Sequence, residues 1–271
     1  MSLGGCGTRS PANEAVSRSS AVTEPLFLID DLADPLPTVG TQLLLAGDEG
    51  RHAAVVRRIR PGEVIMIGDG RGRGVRGLVV EVGPSSLVVE VADHLTAPKE
   101  PQRLVAAQAL AKGDRSELAV EMMTEMGVSE IVPWQAARSI VRWSNERAVR
   151  SLTRWRSTVR EAAKQSRRLT VPQVSEPVTT RQLAQRVANV DLALLLYEEA
   201  DESITEVDLP AAGTVLIIIG PEGGISDDEL GQLTRADARP VSISDGVLRT
   251  STAGVVALAA LKLRREPVSA P

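Results

Sequence analysis

Between Pro25 and Val91 the apolar residues fall in short runs, Leu43–Leu45, Val64–Ile67, Leu78–Val80 and Leu87–Val91, separated by turn-forming stretches. Runs of this length broken by Gly, Pro, Asp and Ser predict strands, and their succession predicts a small β-barrel. The segment His94–Gln102, with Pro98, Pro101 and mixed charges, predicts a linker. After it the pattern switches to strands alternating with helices, which implies an α/β domain with a mostly parallel sheet. The strands expected there are Leu104–Leu110, Ile131–Trp134, Leu192–Leu196, Val215–Ile219 and Val241–Ser244. The helices are Asp114–Met126, Asn145–Arg168, Thr180–Val187, Asp227–Asp237 and Ser251–Leu263. In the first helix Leu118, Met122 and Met126 recur at helical spacing, and Gly127 supplies the stop.

A length of 271 residues fits two such domains. Aromatic residues make up only 2% of a chain that is 43% hydrophobic, so Val, Leu, Ile and Ala must build the cores. No run of about 18 apolar residues occurs, which argues against a membrane-spanning helix. Cys6 is the lone cysteine, and His52 and His94 are the two histidines, so neither an intrachain disulfide nor a zinc site is expected. A reducing, cytoplasmic setting and no metal follow as expectations. Residues 1–22, rich in Ser, Gly, Ala and Thr without hydrophobic period, read as a disordered leader.

The net charge of −4 speaks against nucleic-acid binding only as an average, because binding surfaces are set by local clusters. From Arg138 to Arg168 there are ten Lys/Arg against Glu146 and Glu161. From Arg51 to Arg76 there are seven Arg against Glu63 and Asp69. One such cluster is as readily a solvated helix face or hairpin. Two, nearly all arginine, favour phosphate contacts, since the guanidinium fork matches phosphate oxygens.

Gly72-Arg-Gly-Val-Arg-Gly77 has the form GxGxxG, but a dinucleotide fingerprint must follow a strand and open a helix. Here Leu78–Val82 continues as a strand, so the string is a hairpin turn. Its Arg71, Arg73 and Arg76 make either an RNA-facing loop or a solvated turn. More informative is Val215–Ser226, an apolar strand entering a Gly220-Pro-Glu-Gly-Gly224 turn. Ser226 and Glu229 then form a capping box, with Asp227 and Asp228 in the first helical turn. A turn of this kind lets backbone approach a ligand closely, and the acids favour a cationic or neutral guest over a phosphate. A third stretch, Val241–Ala253, has a short strand, an Asp-Gly turn, and Leu248-Arg-Thr250 opening the last helix. Thr250 is a ready N-cap, and Arg249 beside a helix start calls for an anionic partner.

At these residues the chain resembles the bacterial 16S ribosomal RNA uridine-N3 methyltransferase family, a branch of the SPOUT superfamily of knotted methyltransferases. Gly220-Pro-Glu-Gly-Gly224 and Leu248-Arg-Thr250 resemble its two cofactor-loop motifs. Lys112-Gly-Asp-Arg115, Glu125-Met-Gly127, Ala137-Arg-Ser139, Glu161–Ser166 and Leu195-Leu-Tyr-Glu198 follow its other blocks in order. His52, Val56-Arg57 and Asp69-Gly-Arg-Gly72 resemble its N-terminal PUA-like domain. The similarity runs from about residue 25 to 265. Ser251 stands where the family carries Glu, so no carboxylate role transfers to that position.

The resemblance implies an α/β fold: a PUA-like β-barrel over residues 23–95, followed by a trefoil-knotted SPOUT methyltransferase domain over residues 101–268. It implies an S-adenosylmethionine pocket drawn from Leu196, Gly220, Glu222, Gly223, Gly224, Ile225, Ile243, Leu248, Thr250, Thr252 and Ala253. Arg249 is the residue expected to stabilise the anion formed as the uracil N3 proton departs, and Glu222 is expected to orient cofactor or substrate. His52, Arg57, Arg71, Arg73, Arg138, Arg154, Arg167 and Arg168 are the expected RNA contacts. Arg160, on the long helix with Arg154, joins them. A homodimer acting on 16S ribosomal RNA of the small subunit is implied. A SPOUT methyltransferase for transfer RNA or 23S RNA, and a non-catalytic RNA-binding protein, are the alternatives; an oxidoreductase is disfavoured because its only glycine fingerprint lies in a hairpin.

Overall fold

The computed structural model describes residues 24–264, so the reading of residues 1–22, Cys6 and the end of the second domain at 268 lie outside the described residues. Two sheets organise the chain. The first has five strands in the order β1-β3-β4-β5-β2. These are β1 (Leu26–Leu28), β2 (Gln42–Leu45), β3 (Val64–Gly68), β4 (Arg73–Val82) and β5 (Leu87–Thr96). Alternate residues Ile65, Ile67, Val75, Val79, Leu87, Val89 and Val91 turn inward around Phe27 and Leu45, as the two-residue period requires. Register shifts at Arg76/Gly77 and Val79/Glu81 bend the long β4–β5 ribbon over this core.

The GxGxxG string opens no helix, as its context indicated, but only Gly72 belongs to the β3–β4 turn. Arg73–Gly77 are already the first half of β4, paired with β3, so the strand begins five residues before Leu78. Two features of this half are not in the hydrophobic pattern. The strand β1 is three residues long, and a short helix α1 (Gly47–Arg51) runs into a π-helical turn at His52–Val56. The expected linker shrinks to residues 97–101, because His94–Thr96 continue β5 and pair with Val75–Arg73.

The second sheet has seven strands, all pairings parallel, in the order β12-β10-β11-β6-β7-β8 with β9 also on β7. Its members are β6 (Gln102–Ala109), β7 (Glu130–Gln135), β8 (Gln173–Val174), β9 (Val178–Thr179), β10 (Leu192–Leu196), β11 (Gly213–Ile219) and β12 (Ala238–Val241). A parallel sheet is buried on both faces, and here each face carries its own core. Helices α2 (Arg115–Glu125), α3 (Asn145–Gln165) and α6 (Thr250–Leu263) cover one face through Val120, Met123, Trp155, Val159 and Leu258. Helices α4 (Thr180–Val187) and α5 (Asp227–Arg235) cover the other through Leu183 and Leu233. The strand expected at Val241–Ser244 lies three residues earlier. Ala238–Val241 align with Ala193–Leu196 of β10, while Ser242 makes only an isolated bridge to Ser203.

The two halves meet along the end of α3. Leu26 and Leu28 of β1 pack on Ala163, with Met66, Leu169 and Val171 around them. Segment 169–171 joins the β3–β4 hairpin by backbone bonds, Gly72 N to Leu169 O at 3.0 Å and Val171 N to Gly70 O at 2.8 Å. Lys164, only 9% exposed in its side chain, donates to Glu49 Oε1 at 2.8 Å across the seam. The hairpin therefore docks the first half against the second, with Arg71 left exposed at its turn.

Candidate active site

The carboxyl ends of β10 and β11 lie side by side, at Leu196 and Ile219, and in parallel sheets ligands bind beyond such ends. A cavity of about 330 Å³ opens there. Its walls come from three stretches: Leu196–Glu198, Ile219–Ile225, and Ile243–Ala253, with Arg115 closing one side. Leu196, Ile219, Ile225, Ile243, Leu248 and Ala253 give it apolar surface; Glu198 and Glu222 give it carboxylates.

The sequence dictates the two shaped walls. Ser226 accepts from Glu229 N, and Glu229 Oε2 accepts from Ser226 N at 3.3 Å, so the capping box forms and fixes where α5 starts. Glu229, buried, also accepts from Ala137 N at 2.8 Å and Thr180 Oγ1 at 2.7 Å through Oε1. The turn before it is held tightly against Arg138. A Cβ at Gly223 would stand 3.0 Å from the Arg138 carbonyl oxygen, and Gly224 has φ +73°.

The N-terminus of α6 differs from the expected arrangement. Arg249 occupies the N-cap position without a side-chain cap, and Thr250 is the first helical residue. The Thr250 hydroxyl instead donates to Gly220 O at 2.7 Å and accepts from Gln108 Nε2 at 2.9 Å. Gln108 is fully buried, and its Nε2 also donates to Ala109 O at 3.1 Å, which fixes the amide orientation. A chain of donors thus ties β6, α6 and the glycine turn together. Gln108 is the one polar residue in the apolar run Leu104–Leu110, a signal that sequence reasoning could have used.

The remaining expected residues fall into distinct places. Gly223 and Thr252 are not part of the cavity wall, whereas the other nine expected cofactor residues and Arg249 are. Glu222 Oε1 lies 3.7 Å from Arg115 and accepts from Lys112 N at 3.4 Å. Tyr197, Glu198, Arg115 and Val247 line the cavity without having been singled out as site residues. The Tyr197 hydroxyl donates to Glu199 at 2.9 Å, and that bond, burial and the neighbouring carboxylates hold its proton above the ordinary tyrosine range.

Among the expected RNA contacts, Arg138 lies along the glycine turn, 3.4 Å from Ile225 O. Arg73 is engaged by Asp34 and Asp69, Arg154 by Glu117, and Arg160 by Asp30. Arg168 donates to Glu125 O at 2.9 Å and closes the end of α2. Arg71 is exposed, while His52, Arg57 and Arg167 come together in one cleft at the domain seam.

Residues 98–262 match the RNA methyltransferase domain family, and residues 45–92 match the RNA methyltransferase PUA domain. A ribosomal RNA small subunit methyltransferase E from Mycobacterium tuberculosis is 45% identical over 84% of this chain and 88% of its own. The chain belongs to the ribosomal RNA small subunit methyltransferase E family. A member of that family from Bacillus subtilis is 31% identical over 82% of this chain and 90% of its own. The solved methyltransferase E from Neisseria gonorrhoeae, bound to S-adenosylmethionine, superposes with TM-score 0.77 at 27% identity, covering 89% of this chain and 97% of that one. A putative methyltransferase from Legionella pneumophila in complex with the same cofactor gives TM-score 0.78 at 28% identity, covering 89% and 98%.

Proposed function

We propose that this protein transfers a methyl group from S-adenosylmethionine to N3 of a uridine in 16S ribosomal RNA of the small subunit. The observation that carries this reading is the cavity at the ends of β10 and β11, set in a chain of this family. Its residues fit the cofactor: apolar Leu196, Ile225, Ile243, Leu248 and Ala253 suit an adenine, and Glu198 and Glu222 suit cationic groups. When bound, the cofactor supplies the methyl group on a sulfonium. The carboxylate of Glu222, already faced by Arg115, orients the guest rather than taking a proton.

Arg249 has no carboxylate within ion-pair distance among the described residues, and it stands at a helix N-terminus, where a cation is poorly placed. An anionic uracil oxygen satisfies it. Its guanidinium then stabilises the charge that develops as the N3 proton departs.

A knotted path for the C-terminal segment and a homodimer, both implied by the resemblance to the knotted methyltransferases, are part of the same proposal. No helix of the described residues is long and apolar enough to cross a membrane; a cytoplasmic setting is proposed from the ribosomal RNA substrate.

The test is methyl transfer from labelled S-adenosylmethionine to small ribosomal subunits lacking their native uridine methylation, with the product base mapped by mass spectrometry. N3-methyluridine in 16S RNA is expected, with Arg249→Ala lowering turnover by about 10²–10³ while cofactor binding persists. Cofactor binding with the RNA unmodified would overturn the substrate assignment.

A further inference from the structure

The domain seam holds a second cavity, of about 230 Å³, between the first sheet and the C-terminal end of α3. One wall carries Phe27, His52 and Arg57; the other carries Glu161, Lys164 and Arg167, with Glu24 at the edge. Each acid there already has a cation. Glu24 is bound by Arg76, and Glu161 by Lys164 at 3.0 Å. Arg57 and Arg167 are left with no carboxylate within 4 Å among the described residues, although Arg167 helps, after Arg76, to hold the Glu24 carboxyl below its ordinary range.

The backbone gives a second, independent indication. Arg167 has φ +54° and stands just past α3, where Arg168 N to Ala163 O at 2.8 Å and Arg167 N to Lys164 O at 3.1 Å close the helix. Glycine or asparagine usually fills this left-handed position, because a side chain there crowds the backbone. An arginine kept in that conformation points to a use for its guanidinium. His52 is set by the π-helical turn, with its ring edge-on to Phe27 at 6.2 Å. Such turns are frequent at functional sites.

We propose that this cleft binds one backbone phosphate of the substrate RNA, gripped from opposite walls by Arg57 and Arg167, so that the RNA is held across both domains. This rests on the RNA methyltransferase reading above. It selects one pair from two arginine clusters: Arg73, Arg154 and Arg160 face carboxylates and Arg168 a backbone carbonyl, whereas Arg57 and Arg167 line the same cleft.

Binding of small-subunit RNA to the full-length protein, measured between about 50 and 200 mM salt, tests this. Arg57→Ala and Arg167→Ala are each expected to bind about tenfold more weakly. The double variant is expected to lower the salt slope by about 1, the signature of one lost phosphate contact. Arg181→Ala, an exposed charge-matched control on α4, is expected to bind as wild type does, and all four variants to keep cofactor affinity. A double variant whose slope falls by about 2 with additive losses would place the arginines on separate phosphates and overturn the shared site. Unchanged RNA binding in both single variants would also overturn it. Failure of the wild type to methylate RNA would instead strike the proposed function.

Discussion

Replacing Thr250 by Val keeps the shape of the side chain and removes only the hydroxyl that joins Gln108 to the glycine turn. Two hydrogen bonds disappear, the donation to Gly220 O at 2.7 Å and the acceptance from Gln108 Nε2 at 2.9 Å. Thr250 is 5% exposed and Gln108 0%, so water does not readily replace either partner deep in the sheet. At about 0.5–1.5 kcal/mol net for each bond, the loss is about 1–3 kcal/mol. That corresponds to a fall in melting temperature of about 2–12 °C for a domain of this size. The effect on the cofactor is separable from this. With this tether gone, the Gly220 end of the wall is held only through Arg138 and the capping box, and S-adenosylmethionine affinity by calorimetry is expected to drop about tenfold, or about 1.4 kcal/mol. Thr250→Ser retains the hydroxyl and should restore affinity. If the Val variant binds cofactor as tightly as wild type, or if Ser fails as badly as Val, the tether has no part in binding.

Glu130 is buried, which pushes its carboxyl up, yet bonds from Ser175, Arg103 and Arg186 more than reverse this and hold it below the ordinary value of 4.5. A depressed folded-state value stabilises the protein above the unfolded value and is lost as pH falls through the folded one. Glu130→Gln should therefore cost about 1–3 kcal/mol at neutral pH and progressively less below about pH 4.5, as read by urea unfolding; a constant difference would refute the assignment. Gly223→Ala brings a Cβ to 3.0 Å from the Arg138 carbonyl, so the variant is expected to weaken cofactor binding while calorimetry still shows a cooperative transition. Normal cofactor binding would show that the loop yields freely.

Long apolar runs make most of the second domain legible. Leu192–Leu196 and Thr180–Val187 match the expected bounds, because a buried parallel strand and a well-capped helix each leave an unambiguous pattern. The turn Gly220–Gly224 is readable for the same reason, its capping box being a local code. Thr250 reads as an N-cap because a hydroxyl before a helix satisfies that rule, and only the tertiary fold reveals a stronger partner in Gly220 O. The three-residue β1 carries too little sequence to show a period, and its pairing with β3 is decided by the domain seam. The arginines are visible in the sequence as clusters, but which of them face carboxylates depends on residues up to 130 positions away, as for Arg160 and Asp30.

The bond between Gln108 and Thr250 joins residues 142 positions apart. A ribosome synthesising this chain makes Gln108 early and its partner Thr250 near the end, so the growing chain has no complete pocket until α6 has emerged. Contacts this distant in sequence form late and slowly. The enzyme is thus inert through most of its own synthesis, and a chain cut short before Ile243 would lack both the third wall of the cavity and a helix that helps to cover one face of the sheet.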